Sequence, residues 1–131
     1  NNFKEEDRGK TLVIHPPDNL KDFYIKRLIG LPGEKIKIAG GGVYIYNFNH
    51  PNGFLLNESG YLPSGVNTAA GVEAEIQLTA NEVYVLGDNR SASLDSRRIG
   101  PVPVKNIIGQ TVFRGWPVDK ISIISTPQYN Q

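Results

Sequence analysis

Short runs of apolar residues, many of them β-branched or aromatic, alternate with polar residues along most of the chain. A period of two predicts β-strands, and glycine and proline separate the runs. We therefore expect an all-β domain built from antiparallel sheets. The predicted strands are Thr11–His15, Asp22–Ile29, Lys35–Ile38, Val43–Tyr46, Ala74–Leu78, Glu82–Leu86, Thr111–Arg114 and Ile121–Ile124.

The connections between these strands carry their own signals. Gly40-Gly41-Gly42 stands between the third and fourth strands and predicts a tight hairpin, because glycine adopts left-handed conformations at little cost. Residues 47–71 are rich in Asn, Gly, Ser and Pro, which is typical of a long loop or small insertion. A short helical turn is predicted at Pro103–Ile107, ahead of Gly109.

Composition limits the possible partners and cofactors. The length of 131 residues predicts a single folded unit over residues 1–131. With 14 Lys and Arg against 13 Asp and Glu, no overall field attracts nucleic acid, so we expect no nucleic-acid partner. The absence of cysteine excludes disulfides and thiol nucleophiles. His15 and His50 stand far apart without carboxylates at ligand spacing, so we expect no metal and no cofactor.

The N-terminal end shows no targeting or membrane-spanning segment. No run approaches the eighteen apolar residues of a spanning helix, and no leader-type pattern opens the chain. The chain begins at Asn1 and contains no Met. We therefore expect a soluble piece of a longer protein with an N-terminal part ahead of Asn1.

Lys26 is the first candidate for chemistry. A strand period places it on one face with Tyr24 and Leu28. Apolar neighbours reduce the hydration of the ammonium group and so lower its pKa. A lysine with a lowered pKa is suited to act as a general base, because it is more readily deprotonated. The alternative interpretation is a lysine whose stem lies along the sheet while its charge reaches water.

A second polar run, from Gly87 to Arg97, directly follows the strand Glu82–Leu86 and contains two Asp, two Arg and three Ser. By composition alone, such charges more often form a solvated turn. This run has the pattern Gly-Asp-Asn-Arg, two residues, Ser, one residue, Asp-Ser-Arg. The earlier run from Tyr24 to Glu34 has Lys-Arg ahead of Gly-Leu-Pro-Gly-Glu. The two runs resemble two boxes of the bacterial type I signal peptidases. These membrane-anchored serine endopeptidases cut signal peptides from exported proteins with a Ser-Lys dyad.

Two flanking segments extend the resemblance. Arg8-Gly9-Lys10 and the apolar residues after it resemble the family's strand box, except that Lys10 replaces the usual Asp. The run from Ile108 to Pro117 resembles the closing strand, in which Trp116 is expected at the core or the sheet edge. The implied fold is the antiparallel, LexA-like β fold of signal peptidases.

The resemblance also implies roles for individual residues. Lys26 is expected to be the general base, with Ser93 orienting its amine. Asp88, Arg90, Asp95 and Arg97 are expected to form a supporting network in which Asp95 pairs with Arg97. The residues expected to line the shallow substrate pockets are Tyr24, Ile25 and Val13.

The resemblance further implies a substrate and a location. The substrate is expected to be a signal peptide with small residues at positions −1 and −3, of the Ala-x-Ala type. The expected location is the membrane, through an N-terminal anchor absent from this chain, with the catalytic domain on the extracytoplasmic side.

The nucleophile of the resembled dyad has no counterpart here. Residues 1–25 contain no serine, whereas the family places its nucleophilic serine upstream of the lysine. We therefore expect the serine to precede Asn1 and the chain as given to be inactive. Two alternatives remain: a non-catalytic signal-peptidase-like module for assembly or peptide binding, and a self-cleaving repressor-type Ser-Lys protease.

Overall fold

The computed structural model describes residues 3–71, 74–114 and 120–125, and most of them lie in strands or the turns between strands. Short helical segments are a 3-10 turn at Glu5–Asp7, a single α-helical turn at Ser96–Ile99 (α1) and a 3-10 turn at Val104–Asn106. The strands within the described residues are Thr11–Ile14 (β1), Tyr24–Gly30 (β2), Lys35–Ala39 (β3), Gly42–Asn47 (β4), His50–Leu55 (β5), Glu75–Gln77 (β6), Glu82–Leu86 (β7), Val102–Pro103 (β8), Ile107–Arg114 (β9) and Lys120–Ser125 (β10).

These strands form two antiparallel sheets. The larger sheet has the order β10-β9-β1-β2-β7-β8, and the smaller has the order β5-β4-β3-β6. Each strand pair in both sheets runs antiparallel. The prediction of an all-β fold with antiparallel sheets is therefore confirmed.

Strands β2 and β7 lie side by side in the larger sheet and contribute to both hydrophobic cores. Leu28 and Val85 belong to one core, whereas Ile29 and Leu86 belong to the other, because successive side chains on a strand face opposite sides. The second core also includes Ile36 from β3 in the smaller sheet. The two strands that lead into the candidate site are thus anchored on both faces.

A buried ion pair joins the segments that precede β1 and β3. The guanidinium of Arg8 donates to both carboxylate oxygens of Glu34, at 2.7 and 2.8 Å, and to the carbonyl of Ile29 at 2.8 Å. Lys10, which replaces the Asp of the resembled strand box, forms a local ion pair with Asp7 instead, at 3.1 Å. Arg8 therefore links the larger sheet to the turn that begins the smaller one.

The predicted hairpin at the three glycines is confirmed. Ala39 of β3 lies opposite Gly42 of β4, so the connecting turn consists of Gly40 and Gly41. Their φ angles are +59° and +83°. A two-residue turn with both residues in the left-handed region matches the twist of the flanking strands, which explains the glycines.

The prediction that residues 47–71 form only a loop or irregular segment is wrong at its start. Residues His50–Leu55 form β5, which pairs with β4 at the edge of the smaller sheet. Pro51 and Gly53 hid this strand from the sequence pattern, but an edge strand tolerates proline because one side of its backbone needs no partner. The remainder of the segment is irregular, and near its end the backbone N–H of Thr68 donates to the carbonyl of Gly41 at 2.9 Å.

Two other predictions concern the C-terminal part. The helical turn predicted at Pro103–Ile107 is present as the 3-10 turn Val104–Asn106. The strand predicted to begin at Thr111 begins instead at Ile107, because pairing with β1 extends β9 past Gly109. Trp116 and Pro117 lie outside the described residues.

Both histidines make local contacts. His15 Nδ1 lies 2.9 Å from the carbonyl oxygen of Asp22, and the His15 ring packs on Phe23. The His50 ring packs on Phe54. Across residues 3–71, 74–114 and 120–125, the structure contains no group of three or more His, Cys, Asp or Glu that could hold a metal ion. The same ranges contain no helix with the length and hydropathy needed to span a membrane.

Candidate active site

Lys26 and Ser93 meet at the junction of β2 with the loop that follows β7. The Nζ atom of Lys26 donates a hydrogen bond to Ser93 Oγ at 2.9 Å, although 67 positions separate the two residues. Both side chains are partly buried. The structure therefore brings together the two residues that the sequence motifs singled out for catalysis.

Gly87 makes this close approach possible. It directly follows β7, and a Cβ atom added there would overlap Ser93 Oγ and lie 3.4 Å from Lys26 Nζ. Its φ angle is outside the left-handed region, so the requirement is for space and not for an unusual backbone conformation. Sequence reasoning assigned Gly87 no role, although a glycine at the end of a buried strand is itself a signal of close packing.

The surroundings of Lys26 shift its pKa, and the main cause is burial. Burial lowers the pKa of Lys26, the carboxylate of Asp95 raises it, and the guanidinium of Arg97 lowers it. The net effect is a pKa below the ordinary lysine range. Asp95 and Arg97 act in opposite directions on the pKa of Lys26, and burial is the largest cause of its shift.

Asp95 and Arg97 form a buried, two-pronged ion pair. Arg97 Nε and Nη2 donate to the two oxygens of Asp95 at 3.0 and 2.8 Å. Asp95 also accepts from the backbone N–H of Gly87 at 2.9 Å and caps α1. Removing one partner of such a pair typically costs about 3–5 kcal/mol. The pair therefore fixes the start and the end of the loop that carries Ser93.

Arg90 is held by a residue that the sequence did not point to. Its Nη1 and Nη2 atoms donate to the carboxylate of Glu58 at 2.8 and 2.5 Å, and its Nη1 also donates to Thr68 Oγ1 at 2.9 Å. Its Nε atom donates to the carbonyl of Gly87 at 2.8 Å. Glu58 and Thr68 belong to the segment predicted as a loop, where no motif marked them.

Asp88 pairs with Arg27, the residue after the candidate base. Arg27 Nε and Nη2 donate to the Asp88 carboxylate at 3.0 and 2.6 Å, and Nη1 donates to the carbonyl of Gly9 at 2.7 Å. The Arg27 guanidinium also stacks 4.1 Å above the ring of Tyr61. Asp88 thus forms its ion pair with Arg27 on β2, and its role as a supporting residue stays a prediction.

The connection among the remaining loop charges is through the backbone. Arg97 Nη1 donates to the carbonyl oxygen of Arg90 at 2.8 Å, so the Asp95–Arg97 pair and the Glu58–Arg90 pair touch. Asp88 points instead to Arg27 on β2. All four charged residues of the loop form ion pairs, but the partners of Asp88 and Arg90 lie outside the motif.

The three residues predicted to contact substrate lie beside Lys26 with different exposure. Tyr24 packs against the first core, with its ring centroid 5.4 Å from Lys26 Nζ. Ile25 is 52% exposed. Val13 lies opposite Ile25 in the β1–β2 register but is only 4% exposed. Their contact with substrate stays a prediction.

One edge of β2 is open next to Lys26. Strand β7 pairs with β2 over Arg27–Gly30, whereas β1 pairs with Tyr24–Arg27 on the other side. Within the described part of the chain, no strand lies against Tyr24–Lys26 on the β7 side. An extended peptide could add to this edge by backbone pairing and would then pass the Lys26 amine.

Comparison with known proteins gives one consistent family. The family described as signal peptidase, peptidase S26, matches residues 1–116. Signal peptidase I from Leptolyngbya laminosa is 39% identical over 132 residues, covering 95% of this chain and 60% of the relative. The probable thylakoidal processing peptidase 2 of Arabidopsis thaliana is 35% identical over 125 residues, covering 95% of this chain and 31% of the relative.

A solved structure agrees with the sequence comparisons. The crystal structure of a signal peptidase I from Enterococcus faecalis has a TM-score of 0.62 and 28% identity, and the match covers 82% of this chain and 97% of that one. The chain spans 60% of the length of the Leptolyngbya laminosa signal peptidase I and 54% of the probable signal peptidase I-2 of Synechocystis sp.. Because the family match extends over residues 1–116, this chain belongs to the signal peptidase family, peptidase S26.

Proposed function

We propose that the protein containing this chain is a serine endopeptidase that removes N-terminal signal peptides from exported preproteins. The observation that carries the proposal is the contact between Lys26 Nζ and Ser93 Oγ at 2.9 Å. A half-buried lysine with a lowered pKa and a hydroxyl partner is suited to accept a proton as a general base. Membership of the peptidase S26 family supports the same chemistry.

In the proposed mechanism neutral Lys26 takes the proton of a serine hydroxyl as that oxygen attacks the carbonyl of the scissile bond. The protonated lysine then gives the proton to the leaving amine, and an acyl-enzyme remains. Lys26 next takes a proton from water, which attacks the ester. The protonated lysine gives this proton to the departing serine oxygen, so the signal peptide is released and both serine and neutral lysine are regenerated. Ser93 accepts a hydrogen bond from Lys26 throughout and directs the amine.

The serine that attacks is proposed to lie N-terminal to Asn1, as in the signal peptidases that the motifs resemble. The geometry also raises a second candidate for this role, because Ser93 itself is within hydrogen-bonding distance of Lys26. Against Ser93, its hydroxyl is packed against the backbone of Gly87 and is part of a tightly bonded loop. The two candidates predict different losses when Ser93 is replaced.

The proposed substrate is an extended segment with small residues at positions −1 and −3, of the Ala-x-Ala type. It would pair with the open edge of β2 along Tyr24–Lys26, with Ile25 and Val13 near its side chains. Backbone pairing supplies affinity, and the size of the pockets selects the small residues. We further propose that an N-terminal anchor holds the enzyme at the membrane, with this domain on the extracytoplasmic side.

The Ser93→Ala variant of the full-length enzyme tests this assignment. We expect kcat/KM for an exported precursor to fall about tenfold to a hundredfold, because losing one hydrogen-bond partner of a buried polar group costs about 1–3 kcal/mol. Ser91→Ala, an exposed serine in the same loop, is the matched control and should change kcat/KM less than about twofold.

The assay is cleavage of a purified precursor followed by gel electrophoresis or mass spectrometry. If Ser93→Ala eliminates cleavage as completely as loss of the base does, Ser93 is the nucleophile and not an orienting residue. If the unmodified full-length protein binds the precursor and never cleaves it, the non-catalytic peptide-binding alternative is correct. Cleavage of its own chain alone would instead indicate the repressor-type protease.

A further inference from the structure

We infer that Glu58 is a positioning residue for the Lys26–Ser93 pair and that it acts through Arg90. Glu58 lies between β5 and β6, in the segment that the sequence predicted as a loop or small insertion. The inference deepens the proposed function and rests on it for the activity measurements, although the geometric measurement below is independent of activity.

The contact between Glu58 and Arg90 is a buried clamp. The Arg90 side chain has no exposed surface, and the Glu58 side chain is 12% exposed. Both guanidinium Nη atoms donate to the carboxylate, and the Tyr61 hydroxyl donates to the same carboxylate at 2.7 Å. Burial alone would lower the pKa of Arg90, but its hydrogen bonds and attraction to Glu58 raise it. Glu58 thus keeps a fully buried positive charge in place.

Arg90 connects its ion pair with Glu58 to the candidate site through a hydrogen bond to Gly87. Its Nε atom donates to the Gly87 carbonyl at 2.8 Å, while the Gly87 N–H donates to Asp95 at 2.9 Å. Gly87 is therefore held on its carbonyl side by one ion pair and on its amide side by another. Because Gly87 packs directly against Ser93, its position determines where the Ser93 hydroxyl stands relative to Lys26.

The same segment also bounds the space beside the candidate site. A cavity of about 460 Å³ adjoins Ser93, and its walls come from Asn67, residues 69–71, the loop after β7 and α1. Thr68, which follows Asn67 in the same segment, accepts a hydrogen bond from Arg90. The segment 56–71 is thus attached to the loop after β7 by the Glu58–Arg90 clamp and by Thr68, and it is a structural part of the site.

Removing the Glu58 charge should therefore displace Ser93 from Lys26, although the ion pair that Glu58 forms is with Arg90. Within the described residues, Glu58 is the carboxylate in ion-pair contact with Arg90, so Glu58→Gln leaves a buried cation without its counter-ion. A buried, uncompensated charge is costly, and the guanidinium is expected to turn toward water and release the Gly87 carbonyl. Ser93 would then lose its fixed distance from Lys26.

The first measurement is steady-state kinetics of the full-length Glu58→Gln enzyme on a precursor. We expect kcat to fall about tenfold to a hundredfold with KM changed less than about twofold, because misplacing a catalytic group by about 1 Å costs up to about a hundredfold. Glu58→Asp, which keeps the charge, should restore part of the loss. The matched control is Glu75→Gln, which breaks an exposed ion pair with Lys35 and should leave kcat unchanged.

A double-mutant cycle separates positioning from general destabilisation. If Glu58 acts through Ser93, adding Glu58→Gln to Ser93→Ala should lower kcat by less than about threefold further, because the geometry that Glu58 maintains is already lost. Fully additive losses would overturn the inference. Tyr61→Phe, which keeps the ion pair and removes one hydrogen bond to Glu58, gives a milder variant of the same effect should Glu58→Gln fold poorly.

A crystal structure of the full-length Glu58→Gln or Tyr61→Phe protein provides a reading that does not depend on activity. We expect the Lys26 Nζ to Ser93 Oγ distance to exceed hydrogen-bonding range in Glu58→Gln and to lengthen less in Tyr61→Phe. An unchanged contact near 2.9 Å would overturn the inference. If the contact breaks although the unmodified enzyme cleaves no precursor, the positioning role stands and the proposed function fails.

Discussion

Replacing Lys26 by alanine in the full-length enzyme is expected to abolish precursor processing, with kcat/KM lowered by about 10²–10⁴-fold, the usual contribution of general-base catalysis. The amine of Lys26 would both activate the nucleophile and later activate water, so its loss affects both halves of the reaction. Its burial means that the charged form is poorly hydrated in the folded protein. Alanine should therefore leave the thermal unfolding midpoint unchanged or slightly raised.

The control for this variant is Lys105→Ala, an exposed lysine in the 3-10 turn Val104–Asn106. It should process the precursor at the normal rate. Measurement of kcat/KM and of the unfolding midpoint on the same preparations separates catalysis from folding. Undiminished processing by Lys26→Ala would show that another group is the base.

Replacing Gly87 by alanine is expected to lower kcat/KM by about 10²-fold, the order of loss that a displacement of about 1 Å causes in a catalytic group. The added methyl group would occupy the position of Ser93 Oγ and contact Lys26 Nζ at 3.4 Å. Ser93 must then move, and the hydrogen bond to Lys26 is lost. Since the backbone of Gly87 is not left-handed, the effect comes from the clash and not from backbone strain.

Gly60→Ala is the matched control for this variant. Gly60 has no atom within 4 Å of an added Cβ and is also outside the left-handed region, so the substitution should change neither activity nor stability appreciably. Kinetics and thermal unfolding should be measured on both variants. A Gly87→Ala enzyme with normal kcat/KM would mean that the Ser93–Lys26 contact does not matter for the reaction.

The sequence predicted the parts of this fold that depend on local pattern. A period of two placed Lys26 on a strand with Tyr24 on the same face, and the structure places their side chains next to each other. The glycines at 40–42 predicted a hairpin because backbone freedom is a local property. The two motif segments also indicated Lys26 and Ser93 as a pair, and Lys26 Nζ is hydrogen-bonded to Ser93 Oγ.

The parts that the sequence did not predict depend on contacts between distant segments. Arg90 and Glu58 are 32 positions apart, and Arg27 and Asp88 are 61 apart. Either arginine could have paired with an acidic residue in its own motif, and only the packing of the chain decides between partners. Strand β5 was missed for a related reason, because its pairing with β4 overrides the local signals of proline and glycine.

The measurement that tests the central claim most directly is the pH dependence of kcat/KM for the full-length enzyme. The base must be neutral, so activity should rise with pH through a single ionisation as Lys26 loses its proton. Burial lowers the pKa of Lys26, with opposing contributions from Asp95 and Arg97, so the midpoint should lie below the ordinary lysine value of about 10.4. A profile without an ionisation below that value would contradict the assignment of Lys26 as the base.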